Sequence, residues 1–309
     1  MRNIIYNQNK PIFLRDFLKD NFPALSLKYI ANSIKQKNVK VNNKPVTYNY
    51  KLQKQDEINI FFPIPVNNTS IEKQCKLPEI IYEDTDLIIF NKPAGLLVNG
   101  AENNTLINIC KQYFLGKGDI TSAENAHLCH RIDRGTCGLV MVAKTPHTHE
   151  YIYKKMQQHQ IGKTYFTVVA GSPKQKNANL QAFLTKDAKN ATVTVSSKPL
   201  SEKSRSIETQ YTLLESKNGL SLLSINLITG RTHQIRAHLA HIGHPILGDG
   251  KYGDYAINKQ YGLKYPALFA KALAFNYVQM PEDFPYSFVG NTFAAQDPWF
   301  IEAFRKNEW

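Results

Sequence analysis

The residues best suited to chemistry form one short run, His130-Arg131-Ile132-Asp133-Arg134-Gly135-Thr136-Cys137-Gly138-Leu139. A single carboxylate stands between two arginines, ahead of a Gly-Thr-Cys-Gly turn and the apolar stretch Leu139 to Ala143. Nearby positive charge favours the charged form of a carboxyl group, so Asp133 is expected to stay ionised at neutral pH. Such an Asp is a poor general acid but a plausible nucleophile or electrostatic anchor. The same run also suits an ion-paired Asp at a turn before a strand, with no chemical role.

A second cluster follows about 100 residues later, Thr229-Gly230-Arg231-Thr232-His233-Gln234-Ile235-Arg236-Ala237-His238-Leu239, continued by His241-Ile242-Gly243-His244-Pro245-Ile246-Leu247-Gly248-Asp249. Gly230 ends a strand and the residues after it read as helical, which puts Arg231 near a strand–helix junction. His238 and His241, one turn apart, invite the reading of a metal-dependent hydrolase. No Glu or Cys completes a ligand set and no His-Glu-x-x-His occurs, so no metal is expected. Between the clusters, Lys163 to Gly171 reads as a strand with Lys163 and Tyr165 on one face. Gly162-Lys163-Thr164 imitates part of a phosphate loop. Position 157 is Gln where that motif needs Gly, and a strand follows instead of a helix, which excludes a nucleoside-triphosphate site.

The charge of the chain agrees with a polyanionic partner. Its 309 residues carry a net charge of +13 and a pI of about 9.4, which favours nucleic acid over a membrane surface. A hydrophobic content of 42% and an aromatic content of 11% suit a folded chain, and the length suits about two domains. No apolar run approaches the ~18 residues of a membrane span, and Met1-Arg2-Asn3 leads into no signal-peptide core. Cys75, Cys110, Cys129 and Cys137 form no CxxC pair, so free thiols in a reducing cytoplasm are expected.

The positioning elements can be read in outline. Phe13, Leu14, Phe17 and Leu18 recur at helical spacing, and Pro23 ends that segment. Ser26 is a candidate N-cap for a second helix with Leu27, Ile30 and Ile34 on one face and Lys28, Lys35 and Lys37 elsewhere. Val39 to Val46 alternates like a strand entering a turn at Asn43, and Ile58, Ile60 and Phe62 form another strand. Residues 63–77 are polar and proline-containing, a linker. Beyond it come two strands around the acidic turn at Asp84, a stiff Asn91-Lys92-Pro93-Ala94-Gly95 turn, and a short helix over Thr105 to Phe114. Residues 115–126, rich in Gly, Ser and Asn, read as a loop; Gly138 to Lys144 reads as a strand and Thr148 to Gln158 as a helix. No 10–15-residue helix separates the alternating runs of 180–227, so that sheet is mostly antiparallel. Tyr286, Phe288 and Trp299 read as packing residues.

His-Arg-Ile-Asp-Arg-x-Thr-x-Gly-Leu resembles the signature of the RluA family of RNA pseudouridine synthases, with Ile132 and Cys137 where Leu and Ser are usual. The second cluster resembles that family's Gly-Arg-Thr-His-Gln-Ile-Arg-x-His-Leu signature and its following Gly-His-Pro-Ile-x-Gly-Asp run. The resemblance covers nearly all of 78–280, with Phe269 at a position usually occupied by His. Residues 11–62 resemble a small RNA-binding domain shared with a bacterial small-subunit ribosomal protein, with Lys37 and Asn43 where glycine is frequent.

The resemblance implies an α+β protein: a small α+β RNA-binding domain (11–62), a linker (63–77), and a catalytic domain (78–309) on a mixed, largely antiparallel sheet with a central cleft. It implies isomerisation of uridine to pseudouridine, in large-subunit ribosomal RNA first and transfer RNA second. A non-catalytic RNA-binding ribosome-assembly factor of the same fold is the competing class. Asp133 is then the essential carboxylate, Tyr165 the active-site aromatic, and Arg231 the ion-pair partner that orients Asp133. Arg131 is the candidate to fill the space left by an everted uridine. Arg134 and His130 lie on the same RNA-facing loop, with His130 supporting it. Lys28, Lys35, Lys37, Lys92 and Lys163 are expected to attract the RNA backbone. No cofactor and a monomer are expected.

Overall fold

In a computed structural model the chain is described over residues 2–8, 10–22, 27–61, 76–102, 104–187, 191–276 and 286–308. Its contacts divide it into two compact units, residues 1–77 with 108–126, and residues 78–107 with 127–309. Pro23, Ser26, Phe62, Cys75 and most of the expected linker lie outside the described residues, as does the side chain of Lys28.

The first unit has a sheet of four strands, β1 (Arg2–Ile5), β2 (Val39–Val41), β3 (Lys44–Pro45) and β4 (Glu57–Ile60), in the order β1-β4-β2-β3. Helices α1 (Leu14–Asn21) and α2 (Leu27–Lys35) complete it, because Leu14, Leu18, Ile30 and Ile34 recur at 3.6-residue spacing and bury against Val39, Val41, Ile58 and Ile60. Leu27, expected on the buried face, is 49% exposed. Lys37 (φ 61°) and Asn43 (φ 63°) take the left-handed conformation, which explains why glycine suits both positions. Most of α3 (Leu106–Gly116) and all of α4 (Ile120–Asn125) belong to this unit, although the sequence reading put 108–126 in the second domain. The helix at 120–125 was missed because its composition imitates a loop. Its signal is Asp119, whose carboxylate accepts the Ser122 N–H as an N-cap.

The second unit is built on one long sheet. Its strands are β5 (Glu79–Glu83), β6 (Leu87–Lys92), β7 (Cys137–Ala143), β8 (Gly162–Ala170), β9 (Asn177–Asp187), β10 (Thr192–Ser196), β11 (Arg205–Lys217), β12 (Leu220–Leu227) and β13 (Leu268–Ala274), in the order β10-β9-β11-β12-β8-β13-β7-β6-β5. Neighbours are antiparallel except β7 and β13. Asp84 closes the β5–β6 turn by accepting the N–H groups of Asp86 and Leu87. Helix α5 (Pro146–Gln157) starts on a Thr145 cap with Pro in its first turn, and α6 (Gln234–His241) follows β12.

The core lies on β6, β7, β8 and β13, where Ile89, Leu139, Met141, Val168 and Phe269 are excluded from solvent. The last helix, α7 (Trp299–Lys306), adds Phe300, Ile301 and Phe304 to it. Tyr286 and Phe288 pack there as expected, with ring centroids 4.9 Å apart, but Trp299 is 61% exposed. No helix among the described residues is long and apolar enough to cross a membrane.

One register position decides where the loop before β7 can sit. Ala270 on β13 is the partner of both Gly138 on β7 and Tyr165 on β8. Gly138 has φ +111°, and a Cβ there would stand 2.3 Å from the Ala270 carbonyl oxygen. Gly138→Ala is therefore expected to destabilise the protein by roughly 3 kcal/mol or more, through strain and forced separation of β7 from β13. Urea unfolding checks this; a loss under about 1 kcal/mol means the close approach relaxes freely.

Candidate active site

The loop between Cys129 and Thr136 ends in a turn closed by Thr136 N–H donating to the Asp133 carbonyl at 3.1 Å. His130 fixes its entry: Met141 N–H on β7 donates to His130 Nε2 at 3.2 Å. Burial pushes the His130 pKa down to about 3, with Lys163 adding to it, so the ring is neutral and offers a phosphate no charge. Bound to β7, the ring supports the loop. Arg134 Nε donates to Gly95 O at 3.0 Å and its carbonyl accepts the Gly95 N–H at 2.7 Å, which ties the loop to the turn after β6.

The reading of Lys92 is corrected. Its side chain is fully buried, and Nζ donates to the carbonyls of Pro93, Leu96 and Arg134 at 2.9, 2.8 and 3.3 Å. Burial lowers its pKa to about 8, against the opposing pull of Cys137 and Asp133. This lysine is an internal clamp between turn and loop and cannot reach an RNA backbone. Cys137, where the family usually has Ser, faces Leu268 O at 3.6 Å, and burial pushes its thiol up to about 11.

Asp133 meets a guanidinium, but that of Arg236. Arg236 Nη1 donates to Asp133 Oδ2 at 2.9 Å, while its Nε and Nη2 grip the two oxygens of Asp249 at 2.7 and 2.8 Å. Arg231, expected to make this pair, is exposed on the turn before α6 and offers its backbone N–H to Gln234. The physical reason is the path of the chain. Gln234 is buried; its Oε1 accepts from Thr229 and from the Arg231 N–H, and its Nε2 donates to Glu208 O and Thr209 Oγ1. This pins the turn against β11, and His233 then takes the left-handed conformation (φ 54°) as α6 begins. Arg236, inside the first turn of the helix, points at the loop.

Burial opposes the charge on Arg236, but Asp249 and then Asp133 more than reverse it, so its pKa lies above the ordinary value. Burial likewise works to raise the Asp249 pKa, and Arg236 together with the N–H groups of Lys251 and Tyr252 drives it below the usual carboxylate range.

Asp133 is a wall of two cavities, of about 250 and 420 Å³, both also lined by Arg131, His233 and Arg236. Lys163, Tyr165 and Arg231 face the smaller one. Tyr165 is 7% exposed, and its pKa is raised by burial and then by Asp133, so its hydroxyl keeps its proton. Burial lowers the pKa of Lys163. Arg131 is exposed at the mouth, and Arg134, Lys35 and Lys37 are also exposed. His238, read as a possible metal ligand, is buried with Nδ1 3.0 Å from Thr209 Oγ1; burial pushes its pKa down to about 4.

The motifs themselves were legible, but the roles inside the second one were not. Arg236, Gln234, His233, Asp249 and Tyr252 were all missed as site residues. A guanidinium three residues after a His and 13 before an Asp was the available signal, but Arg231 carries the same side chain. The arrangement presents a fixed carboxylate to a small cavity with a protonated tyrosine and cations around it. It suits covalent or electrostatic work by a single anion on a group small enough to enter that cavity.

Residues 86–241 match the family described as RNA pseudouridylate synthase, and residues 14–58 match the S4 domain. A Bacillus subtilis (strain 168) protein named uncharacterized RNA pseudouridine synthase YlyB is 31% identical over 252 residues, spanning 81% of this chain and 80% of that one. A Vibrio parahaemolyticus protein named ribosomal large subunit pseudouridine synthase C is 33% identical over 251 residues, spanning 78% of this chain and 75% of that one. Human RNA pseudouridylate synthase domain containing 4 shares the fold, with a TM-score of 0.59 at 22% identity over 74% of this chain and 92% of that chain.

Proposed function

Since the chain belongs to the RNA pseudouridine synthase family, we propose that this isomerase acts on large-subunit ribosomal RNA and that Asp133 is the carboxylate on which the reaction turns. The observation that carries the second half is the position of Asp133, held by Arg236 at 2.9 Å in a cavity shared with Tyr165. A relative named for the large ribosomal subunit, 33% identical, and an S4 module supply the first half.

In this isomerisation the N1–C1′ bond of uridine breaks, the detached uracil turns, and a C5–C1′ bond forms. C5 gives up its proton and N1 gains one, so atoms balance and nothing is oxidised. Asp133 contributes its negative charge as nucleophile or anchor, Tyr165 a ring against which uracil stacks and a hydroxyl that donates a hydrogen bond. A uridine stacked in RNA must first swing out, at a cost of a few kcal/mol. Arg131, exposed beside both cavities, takes the vacated space and stacks on its neighbours. Lys163 and Arg231 face the same cavity and attract the flanking phosphates.

Pseudouridine mapping in cells with and without this gene tests the substrate. A site lost from large-subunit ribosomal RNA is the expected result; loss from transfer RNA alone overturns it. The salt dependence of binding tests the roles of the cations. Arg231→Ala is expected to reduce the slope of log affinity against log salt by about 0.7–0.9 for one lost phosphate neutralised. Lys92→Gln loosens its turn but leaves that slope unchanged, because the ammonium is buried. Equal slopes for Arg231→Ala and wild type remove Arg231 from the phosphate contacts.

A further inference from the structure

Val193, Tyr252 and His233 form a hydrogen-bonded chain whose far end, His233 Nε2, lies near Asp133. Val193 N–H on β10 donates to the Tyr252 hydroxyl oxygen at 2.9 Å, and that hydroxyl lies 2.9 Å from His233 Nδ1. With the Val193 donor already on the oxygen, the hydroxyl proton is available to Nδ1. A neutral imidazole then carries its proton on Nε2. His233 Nε2 faces Asp133 Oδ2 at 3.7 Å, the oxygen that Arg236 also holds. Burial, before any other influence, lowers the pKa of His233, which agrees with a neutral ring. Among the described residues no hydrogen bond reaches Oδ1 of Asp133.

The backbone shows that this histidine is placed with care. His233 occupies the left-handed region (φ 54°) at the start of α6, where Gly or Asn is the easier residue. The Tyr252 ring also lies against Arg236, with the guanidinium carbon 5.3 Å from its centroid. One tyrosine thus braces both side chains that reach Oδ2.

Resting on the reading of Asp133 as the working carboxylate, we propose that His233 is a positioning residue. Set by the Tyr252 hydroxyl, it aims an N–H dipole at Oδ2 beside the hydrogen bond from Arg236, so that Oδ1 is the oxygen presented to the uridine. The role depends on an N–H at the Nε2 position, 3.7 Å from Asp133.

Two substitutions separate this role from a merely structural one. In His233→Gln the side-chain amide N–H reaches the place of Nε2, but the bond to Tyr252 is lost. In His233→Asn the shorter amide keeps a partner for Tyr252 and suits the left-handed backbone, but leaves Oδ2 without its second contact. The full-length protein is incubated in excess with total RNA from cells lacking the gene, and pseudouridine is followed over time by sequencing. His233→Gln is expected within about threefold of the wild-type rate and His233→Asn slowed about tenfold or more, since small misplacements of a reacting group carry such costs. RNA affinity stays within about twofold in both. Thermal stability is expected in the reverse order, Asn above Gln. Tyr252→Phe, which leaves the left-handed residue alone, is expected to slow the reaction about threefold or more.

An Asn variant as fast as the Gln variant overturns the inference, as does a loss confined to affinity or wild-type speed in Tyr252→Phe. Asp133→Asn is run alongside. If it turns over normally, the reading of Asp133 fails; if it is inactive while the Gln and Asn order is reversed, only the role of His233 fails.

Discussion

Asp133→Asn is expected to lower the single-turnover rate of pseudouridine formation by about four orders of magnitude or more, some 5–6 kcal/mol of barrier at 1.36 kcal/mol per tenfold. RNA affinity is expected to stay within a few fold. The amide has the carboxylate's shape, and its oxygen can still accept from Arg236 Nη1, which today sits 2.9 Å from Oδ2. Arg236 keeps its two bonds to Asp249, so its charge is not left alone in the interior. The fold therefore tolerates the change, and what disappears is the anion itself. Rates measured with enzyme in excess, beside filter binding of the same RNA, check both halves. Turnover near wild type removes Asp133 from the chemistry; a large loss of affinity makes it a binding residue.

The second large effect is expected one layer further in. Asp249 is fully buried, and both its oxygens are used by Arg236. Replacing a whole buried ion pair by apolar groups is often harmless, but removing one partner strands a charge, at about 3–5 kcal/mol. Asp249→Ala is therefore expected to lower the melting temperature of its unit by roughly 10 °C. It should also slow isomerisation by about 100-fold, because the guanidinium that orients Asp133 loses its own support. Two routes lead to a weak effect on stability: water enters, or Arg236 turns wholly to Asp133. Either is seen as a melting shift under about 2 °C, which demotes the pair.

The acid limb gives an independent check. The folded-state pKa of Asp249 lies below its ordinary value, so its contribution is fully present above the unfolded pKa of about 4 and is lost as pH falls through the folded one. The stability gap between wild type and Asp249→Ala should thus be constant from pH 7 to about pH 5 and close only in stronger acid. A gap that widens on acidification contradicts that sign.

The residues by themselves determined a good deal. The two signatures, the basic charge, the S4-like spacing of the first helices and the strand carrying Tyr165 are local or compositional features, and they fixed the family, the α+β class and the identity of the candidate carboxylate. A left-handed position such as Asn43 is legible because it depends on neighbours within four residues.

Only the tertiary structure decided which arginine meets Asp133, whether Lys92 touches solvent, and that Tyr252 and His233 lead to the same carboxylate oxygen. Arg231 and Arg236 are equal as side chains. They differ in that Gln234 anchors one on an exposed turn and the first turn of α6 aims the other inward. Lys92 reads as a surface cation until the Arg134 carbonyl of a distant loop joins two carbonyls of its own turn around it. Each outcome includes a link between separate segments, Gln234 to Glu208 and Thr209, Lys92 to Arg134 and Tyr252 to His233, and side-chain charge alone carries no information about which remote group will meet it.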